Sequence, residues 1–178
     1  EYVGIDISNA SLGICLQRFK AFDLHGKFYN LNLLEDDYSI LGKFDLVYSY
    51  GVIHHSPNIK KHIDVVHELL NDDGEFRFMV YAKNSWKYAM IQKGLDQFEA
   101  QAGCPYARAF TKDEIPQVLD GIFKVERLRQ DHCFMYNVDA YKQGRYELEP
   151  WFAAMPEAMR EAVREYLGWH LLVKAKKI

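Results

Sequence analysis

Short apolar runs alternate with amphipathic segments along the first half of the chain. The runs at 2–6, 28–33 and 44–50 predict buried strands, and the near-continuous run from Phe76 to Ala82 predicts a strand covered on both faces. Apolar residues three and four apart predict the helices between them. One helix follows a cap at Ser8 or Asn9, with Leu12, Cys15, Leu16 and Phe19 inward, and another follows Pro57-Asn58, with Ile59, Ile63, Val66 and Leu70 inward.

The second half is less regular but continues the alternation. It predicts a helix over 85–101, a short helix opened by the capping box Thr111–Glu114 and ending near Gly121, and a strand from Phe123 to Leu128. An aromatic-rich segment at 134–155 has no clear period. Pro156 and Gly168 bracket a last helix, with Met159, Ala162, Val163 and Tyr166 inward, before a closing strand from Trp169 to Val173. The pattern predicts a single α/β domain over residues 1–178.

Composition narrows the classes of function. The chain has 178 residues, a net charge of −3 and a pI near 6.2, and it has no basic stripe, which argues against nucleic acid as a partner. Its three cysteines are far apart and odd in number, which favours buried thiols in a reducing cytoplasm over disulfides or a zinc site. No run of eighteen apolar residues occurs, so we expect no membrane partner.

Asp6 is the first candidate for a functional residue, because it ends an apolar strand and precedes a helix start. In nucleotide-binding α/β domains, a carboxylate in this position holds ribose hydroxyls. The same carboxylate could instead cap the following helix. The eleven glycines never fall two apart, so the sequence contains no G-x-G phosphate turn.

Four segments in order resemble the class I S-adenosylmethionine-dependent methyltransferases, which have a Rossmann-like sheet of seven strands. Val3–Ser8 resembles the family's second strand, and Phe44–His55, ending in Gly-Val-Ile-His-His, resembles its fourth strand and the loop after it. Leu70–Phe76 resembles the turn into the fifth strand, and Gly168–Lys176 resembles the antiparallel seventh strand. The resemblance implies a mostly parallel sheet flanked by helices, with the last strand antiparallel and the family's first strand and first helix missing.

The resemblance implies S-adenosylmethionine as the cofactor and a small-molecule methyl acceptor. It places Asp6 and Ile7 at the ribose, Asn32 and Leu33 at the adenine, and Tyr50 beside the methionine portion. Many members have an aspartate after the third strand, where the nearest match here is Asn32-Leu33, with Glu35 in a shifted register as the less favoured alternative. The Asn32 carbonyl accepts the same hydrogen bond without the charge. Asn32 could instead be an ordinary turn residue, and Tyr50 a core aromatic.

His54 and His55 are the candidate catalytic residues. A histidine beside the pocket could act as general base, although a histidine that organises the loop is an equal alternative. His62 and His67 are five apart on a predicted helix, which does not fit a zinc motif, so no metal site is expected. The segment 134–155 is left open as a lid over a planar substrate, a packing insert or the surface of a homodimer.

Two other functions remain open. One is a non-catalytic fragment or binding module that keeps the fold, and the other is a nicotinamide-dependent oxidoreductase. The oxidoreductase is less favoured because the chain lacks a Tyr-x-x-x-Lys pair. Without a glycine loop, we expect weak cofactor binding and no turnover. We also expect six strands, with those at 2–6 and 44–50 either paired directly or separated by a strand from another chain.

Overall fold

Strands and helices alternate as the sequence predicts in the computed structural model, which describes residues 1–94, 104–119 and 121–178. The strands are β1 (Val3–Asp6), β2 (Lys27–Asn30), β3 (Phe44–Tyr50), β4 (Leu70–Ala82), β5 (Ala109–Phe110), β6 (Phe123–Asp131) and β7 (His170–Lys177). The helices are α1 (Asn9–Ala21), α2 (Ile59–Leu69), α3 (Trp86–Gln92), α4 (Glu114–Val118), α5 (Val138–Lys142), α6 (Pro150–Ala153) and α7 (Glu157–Leu167). Ser39–Leu41 and Ile53–His55 form single 3-10 turns.

The strands form two sheets. β1 and β2 pair in parallel, and β3, β4, β7 and β6 form a second sheet in that order, with β5 added to the end of β4. β3 runs parallel to β4, whereas β7 is antiparallel to both β4 and β6. The predicted α/β class, with a mostly parallel arrangement and an antiparallel last strand, is confirmed.

The predicted single sheet of six strands is wrong, because the described strands number seven and form two sheets. Of the two arrangements predicted for the strands at 2–6 and 44–50, direct pairing is wrong, and a strand from another chain between them stays a prediction. Among the described strands, β1 is hydrogen-bonded to β2 alone and β3 to β4 alone. The two sheets meet instead through side chains, because Leu41, Val65 and Leu69 pack against apolar residues of both β1 and β3. Packing on α2 therefore replaces a backbone ladder at this junction.

One face of the larger sheet carries the main core. Phe76, Phe78 and Val80 of β4 are almost completely buried against α2 and α4. The opposite face is less covered than the sequence predicts, because Arg77 is exposed and pairs with Glu75, which also pairs with Lys174 at 2.8 Å. The apolar run of β4 is thus buried chiefly on one side.

Turn chemistry explains several boundaries. Ser8 caps α1, Asn58 caps α2, and Thr111 and Glu114 exchange the two hydrogen bonds of a capping box as predicted. The predicted turn at Asn71–Gly74 lies inside β4, where the register with β3 shifts and Asp73 has a φ of 63°. Leu70, predicted on α2, is fully buried but begins β4.

Two helices present apolar residues to solvent that were predicted to face inward. Leu16 of α1 is half exposed, and Met159 and Tyr166 of α7 are more than half exposed. The predicted helical period is correct for both helices, but the neighbouring elements that the structure describes cover only part of each apolar stripe. The helix predicted over 85–101 ends at Gln92, and residues 95–101 lie outside the described ones. None of the described helices combines the length and the apolar character that crossing a bilayer requires.

Candidate functional site

Asp6 ends β1, and one of its carboxylate oxygens already has a structural role. Its Oδ1 accepts a hydrogen bond from the backbone N–H of Ser8 at 2.7 Å, and Ser8 in turn caps α1 by accepting from Ser11. The other oxygen, Oδ2, has no hydrogen-bond partner among the described residues. The carboxylate is half-buried and can therefore hold the turn with one oxygen and accept hydroxyl donors with the other.

The predicted adenine residues follow β2, which lies directly beside β1. Asp6 pairs with Asn30, and the side-chain amide of Asn30 donates to the backbone oxygen of Asp6 at 3.0 Å. Asn32 folds its carbonyl into a local turn, where Oδ1 accepts from the backbone N–H of Leu34 at 3.1 Å. A carbonyl oxygen has two lone pairs, so this turn leaves Asn32 a second acceptor position.

Ile7 and Leu33, the two apolar residues predicted at the cofactor, have different environments. Ile7 is 73% exposed at the end of β1, where it can cover a ligand held by Asp6. Leu33 packs against the cluster of Leu41, Val65 and Leu69, so its role in this structure is to join the smaller sheet to α2.

Tyr50 ends β3 on the less covered face of the larger sheet and is half exposed. Gly51 follows it with a φ of 75°, a conformation that favours glycine and turns the chain sharply toward the histidine loop. Tyr50 pairs in register with Met79 of β4, which is 3% exposed. The phenol hydroxyl lies 3.2 Å from Nδ1 of His170, at the beginning of β7.

His54 is completely buried, which argues against the predicted catalytic role. Neither ring nitrogen has a hydrogen-bond partner among the described residues, and the ring packs 4.0 Å from the ring of Tyr81. Burial, followed by the nearby His55 and His170, lowers the pKa of His54 to about 3, although the backbone of Met79 acts in the opposite direction. His54 is thus a neutral core residue, and the alternative role of organising the loop fits the structure better. 

His55 is partly exposed and has a defined orientation. Its Nδ1 lies 2.8 Å from the backbone oxygen of Tyr106. Because a carbonyl oxygen only accepts, Nδ1 must carry the proton, and in the neutral ring Nε2 then carries the lone pair. This arrangement suits a general base, which needs an accessible and correctly oriented nitrogen.

The structure adds residues that sequence reasoning missed. Tyr81 of β4 pairs with His170 of β7, and its ring stacks on Trp169 at 4.2 Å. His170 also stacks on His132 at 4.3 Å. These residues join the loop of His54 and His55 in one aromatic wall at the end of β3 and β4. The Gly168–Lys176 segment was recognised as a strand, but only the register of β4 and β7 shows that His170 reaches Tyr50.

The aromatic segment 134–155 folds on itself. Tyr136 forms a bridge with Leu148, and the rings of Tyr136, Tyr141 and Tyr146 lie within 6 Å of one another. Trp151 of α6 lies 6.2 Å from Trp86 of α3, which connects the segment to the larger sheet's periphery. Among the described residues, no group of three or more histidines, cysteines and acidic residues could hold a metal ion.

Two comparisons identify the fold. Residues 1–76 match the sequence model of a family described as "Methyltransferase domain". A search of curated protein sequences returns no match. The chain is also similar in structure to many solved proteins.

Three of these structures are methyltransferases or putative methyltransferases. The chain is 13% identical to N-methyltransferase NodS from Bradyrhizobium japonicum WM9 in complex with S-adenosyl-L-homocysteine, with a TM-score of 0.58. This alignment covers 98% of this chain and 65% of NodS. It is 16% identical to a putative methyltransferase from Bacillus halodurans C-125, with a TM-score of 0.65 and coverage of 98% and 81%. It is 17% identical to 1,6-didemethyltoxoflavin-N1-methyltransferase from Burkholderia thailandensis, with bound 1,6-didemethyltoxoflavin and S-adenosylhomocysteine, a TM-score of 0.55 and coverage of 98% and 60%.

Identities this low show the fold and not the substrate. The chain spans less than two thirds of NodS and of the Burkholderia enzyme. It resembles methyltransferase enzymes in sequence over residues 1–76 and in structure over nearly its whole length. The chain therefore has the Rossmann-like fold of the class I S-adenosylmethionine-dependent methyltransferases.

Proposed function

We propose that this protein is an S-adenosylmethionine-dependent methyltransferase that acts on a small-molecule acceptor. The observation that carries the proposal is the family match over residues 1–76, because this stretch contains Asp6, Asn32, Tyr50 and His55. Two of the similar structures contain S-adenosylhomocysteine, and one of these also contains its small-molecule substrate. Both observations support the cofactor and the class of acceptor.

The polar atoms of the smaller sheet fit the adenosine part of this cofactor. The Oδ2 atom of Asp6 is available to accept ribose hydroxyls, and the adjacent Ile7 can cover the sugar. The second acceptor position of Asn32 suits the adenine amino group. Leu33 supports the base from the core beneath it. These assignments use atoms that the local turns leave available, and they need no rearrangement of the β1–β2 pair.

The residues of the larger sheet suit the reaction centre. Bound S-adenosylmethionine supplies an electrophilic methyl group on a sulfonium, so the protein chiefly has to orient an acceptor and remove its proton. Tyr50 borders the methionine portion. The carbonyl oxygen of Tyr106 fixes Nδ1–H of His55, so that Nε2 can take a proton from an acceptor hydroxyl or ammonium. His54 holds the loop from the core.

Calorimetry with the full chain tests the cofactor assignment. Asp6→Asn keeps an acceptor for the Ser8 N–H but removes the charge, so S-adenosylmethionine binding should weaken by roughly 1.5–3 kcal/mol, the scale of a charged hydrogen bond. Asp37→Asn is the matched control, because Asp37 holds the same kind of turn by accepting from the Ser39 N–H at 2.9 Å. If the two variants change the affinity for S-adenosylmethionine equally, Asp6 has only a structural role.

A non-catalytic binding module with the same fold is the second candidate. The division between β1 and β3 favours it, because the cofactor residues lie at two sheets that no backbone ladder connects among the strands that the structure describes. Binding without methyl transfer to any acceptor in a metabolite panel would support this module. Transfer of a labelled methyl group to one acceptor would exclude it.

The finer expectations about the setting are also proposals. We propose a cytoplasmic protein, which is supported by three free cysteines at positions 15, 104 and 133. A homodimer is supported by exposed apolar residues of α1 and its C-cap, namely Ile14, Leu16 and the capping Phe22. Sedimentation of the purified chain tests this oligomeric state directly.

A further inference from the structure

Tyr50 and His170 share one face of the larger sheet although they lie 120 residues apart in sequence. Tyr50 pairs with Met79, and His170 pairs with Tyr81, two residues further along β4. Residues two apart on a strand project from the same face. The phenol ring therefore reaches across β4 above the buried Met79, and its hydroxyl contacts a strand on the far side.

The rings make a defined contact as well as a hydrogen bond. The Tyr50 and His170 rings meet edge to face, with centroids 5.8 Å apart and planes at 86°. His170 also stacks on His132, with the two planes 13° apart. His170 thus contacts both rings, and this packing restricts the direction in which its Nδ1 points.

We propose that His170 is a positioning residue of the methyl-transfer site, and that its Nδ1 accepts a hydrogen bond from the Tyr50 hydroxyl, so that the phenol oxygen presents lone pairs to the cofactor sulfonium. This inference rests on the proposed function. A hydroxyl that donates its proton in one direction keeps lone pairs that can accept from another. A negative oxygen lone pair near the sulfonium favours the cationic cofactor over neutral S-adenosylhomocysteine.

The neutral form of His170, with its proton on Nε2, suits this role. A protonated ring would donate to Tyr50 and turn the phenol proton outward. It would also place a second positive charge near the sulfonium, and like charges in one site disfavour each other.

The chain supplies matched variants for the test. Asn at position 170 can place a hydrogen-bonding atom where Nδ1 lies, because both atoms are bonded to Cγ, whereas Gln reaches the Nε2 position instead. Tyr48→Phe is the control for Tyr50→Phe. The Tyr48 ring stacks on Tyr50 at 6.0 Å, its side chain is 64% exposed, and no hydrogen bond of its hydroxyl is described.

Calorimetric titration of the full chain with S-adenosylmethionine and, separately, S-adenosylhomocysteine measures the ratio of the two affinities. Tyr50→Phe and His170→Gln should lower the preference for the cation by about 5-fold, a difference on the scale of one hydrogen bond. His170→Asn and Tyr48→Phe should keep the wild-type ratio. Far-UV circular dichroism and the urea midpoint of each variant verify that it folds.

Three outcomes would overturn the proposal. If Tyr50→Phe weakens both ligands equally, the hydroxyl serves packing and not charge recognition. If His170→Asn behaves like His170→Gln, the hydrogen bond to Nδ1 is not what positions Tyr50. If nitrogen-15 spectra of the free wild-type chain show the His170 proton on Nδ1, the direction of the bond is wrong. Because weak binding is expected without a glycine loop, the titrations extend to millimolar ligand. A wild type that binds neither ligand even there would refute the proposed function, and this inference with it.

Discussion

The two sheets of this protein are stabilised in different ways, although the candidate site needs both. In the larger sheet, β4 is paired on both edges and fully buries residues such as Phe76 and Leu70. In the smaller sheet, β1 and β2 have four residues each, and none of these eight is fully buried. It packs against one aromatic cluster of Tyr2, Phe19 and Phe28 and against the small apolar cluster of Leu41, Val65 and Leu69.

This difference divides the proposed site. Asp6 and Asn32, assigned to the adenosine part of the cofactor, belong to the smaller sheet. Tyr50, His55 and His170, assigned to the reacting part, belong to the larger one. Regions with few buried contacts open locally at a lower free energy than the core of the same protein. A ligand that contacts both sheets would therefore stabilise the smaller sheet more than the larger one, since binding favours only the ordered form.

The largest expected effect is a difference in the stability that a core phenylalanine contributes to each sheet. Phe76→Ala should destabilise the protein by about 3–5 kcal/mol, because it empties a fully buried site between Phe78 and Phe123. The half-buried Phe28 should cost about 1–2 kcal/mol when changed to Ala. Urea unfolding followed by tryptophan fluorescence is the measurement, since all three tryptophans (Trp86, Trp151 and Trp169) lie outside the smaller sheet.

The fluorescence transition of Phe28→Ala should stay close to that of the wild type if the smaller sheet opens separately. Its effect should appear instead as faster amide exchange in β1 and β2. A shift of the fluorescence transition as large as that of Phe76→Ala would show that both sheets unfold as one unit, so that the smaller sheet does not open separately.

Acid should weaken the larger sheet selectively. The pKa of His54 is lowered from its ordinary value of 6.5 to about 3, first of all by burial. Below pH 6.5 the unfolded chain therefore binds a proton that the folded chain does not, and stability falls as the pH falls from 6.5 toward 3. At pH 5 the loss from this group should be about 2 kcal/mol relative to pH 7.

Burial also lowers the pKa of His62 on α2, which contributes in the same direction. The smaller sheet and α1 contain no histidine, and His25, in the loop between α1 and β2, is exposed. Urea midpoints at pH 7 and pH 5 measure the effect, and His54→Leu should reduce the difference between them. An unchanged pH dependence in that variant would mean that another group causes the acid sensitivity.

The sequence predicts elements better than it predicts the contacts between them. The bounds of β3 were predicted as 44–50 and are confirmed, because an apolar run is a local signal. The contact between Tyr50 and His170 depends on the register of β4 against β7, which no local pattern encodes. His54 and His55 are adjacent in sequence, yet one is buried and the other partly exposed, because they lie on a 3-10 turn. The amphipathic period of α7 likewise shows its apolar stripe but not what covers it.

The smallest expected effect is a gain in the stability of α1, which packs on the smaller sheet. Gly13 lies in the middle of α1, and a Cβ added there would meet no atom within 4 Å. Gly13→Ala should therefore stabilise α1 by about 0.5–1 kcal/mol, since glycine is the poorer helix former. The gain should appear as slower amide exchange in α1, β1 and β2, with the tryptophan transition almost unchanged.

Gly144→Ala is the matched control for this variant, because Gly144 differs from Gly13 in backbone conformation but not in the space available for a Cβ. A Cβ at Gly144 also meets no atom within 4 Å, but its φ is 76°, in the left-handed region that side chains disfavour. The same substitution should therefore destabilise its own segment by about 1 kcal/mol. If Gly13→Ala instead raised the stability of the larger sheet by its full amount, α1 would have to unfold together with β4. The cofactor would then find both halves of its proposed site already fixed to each other.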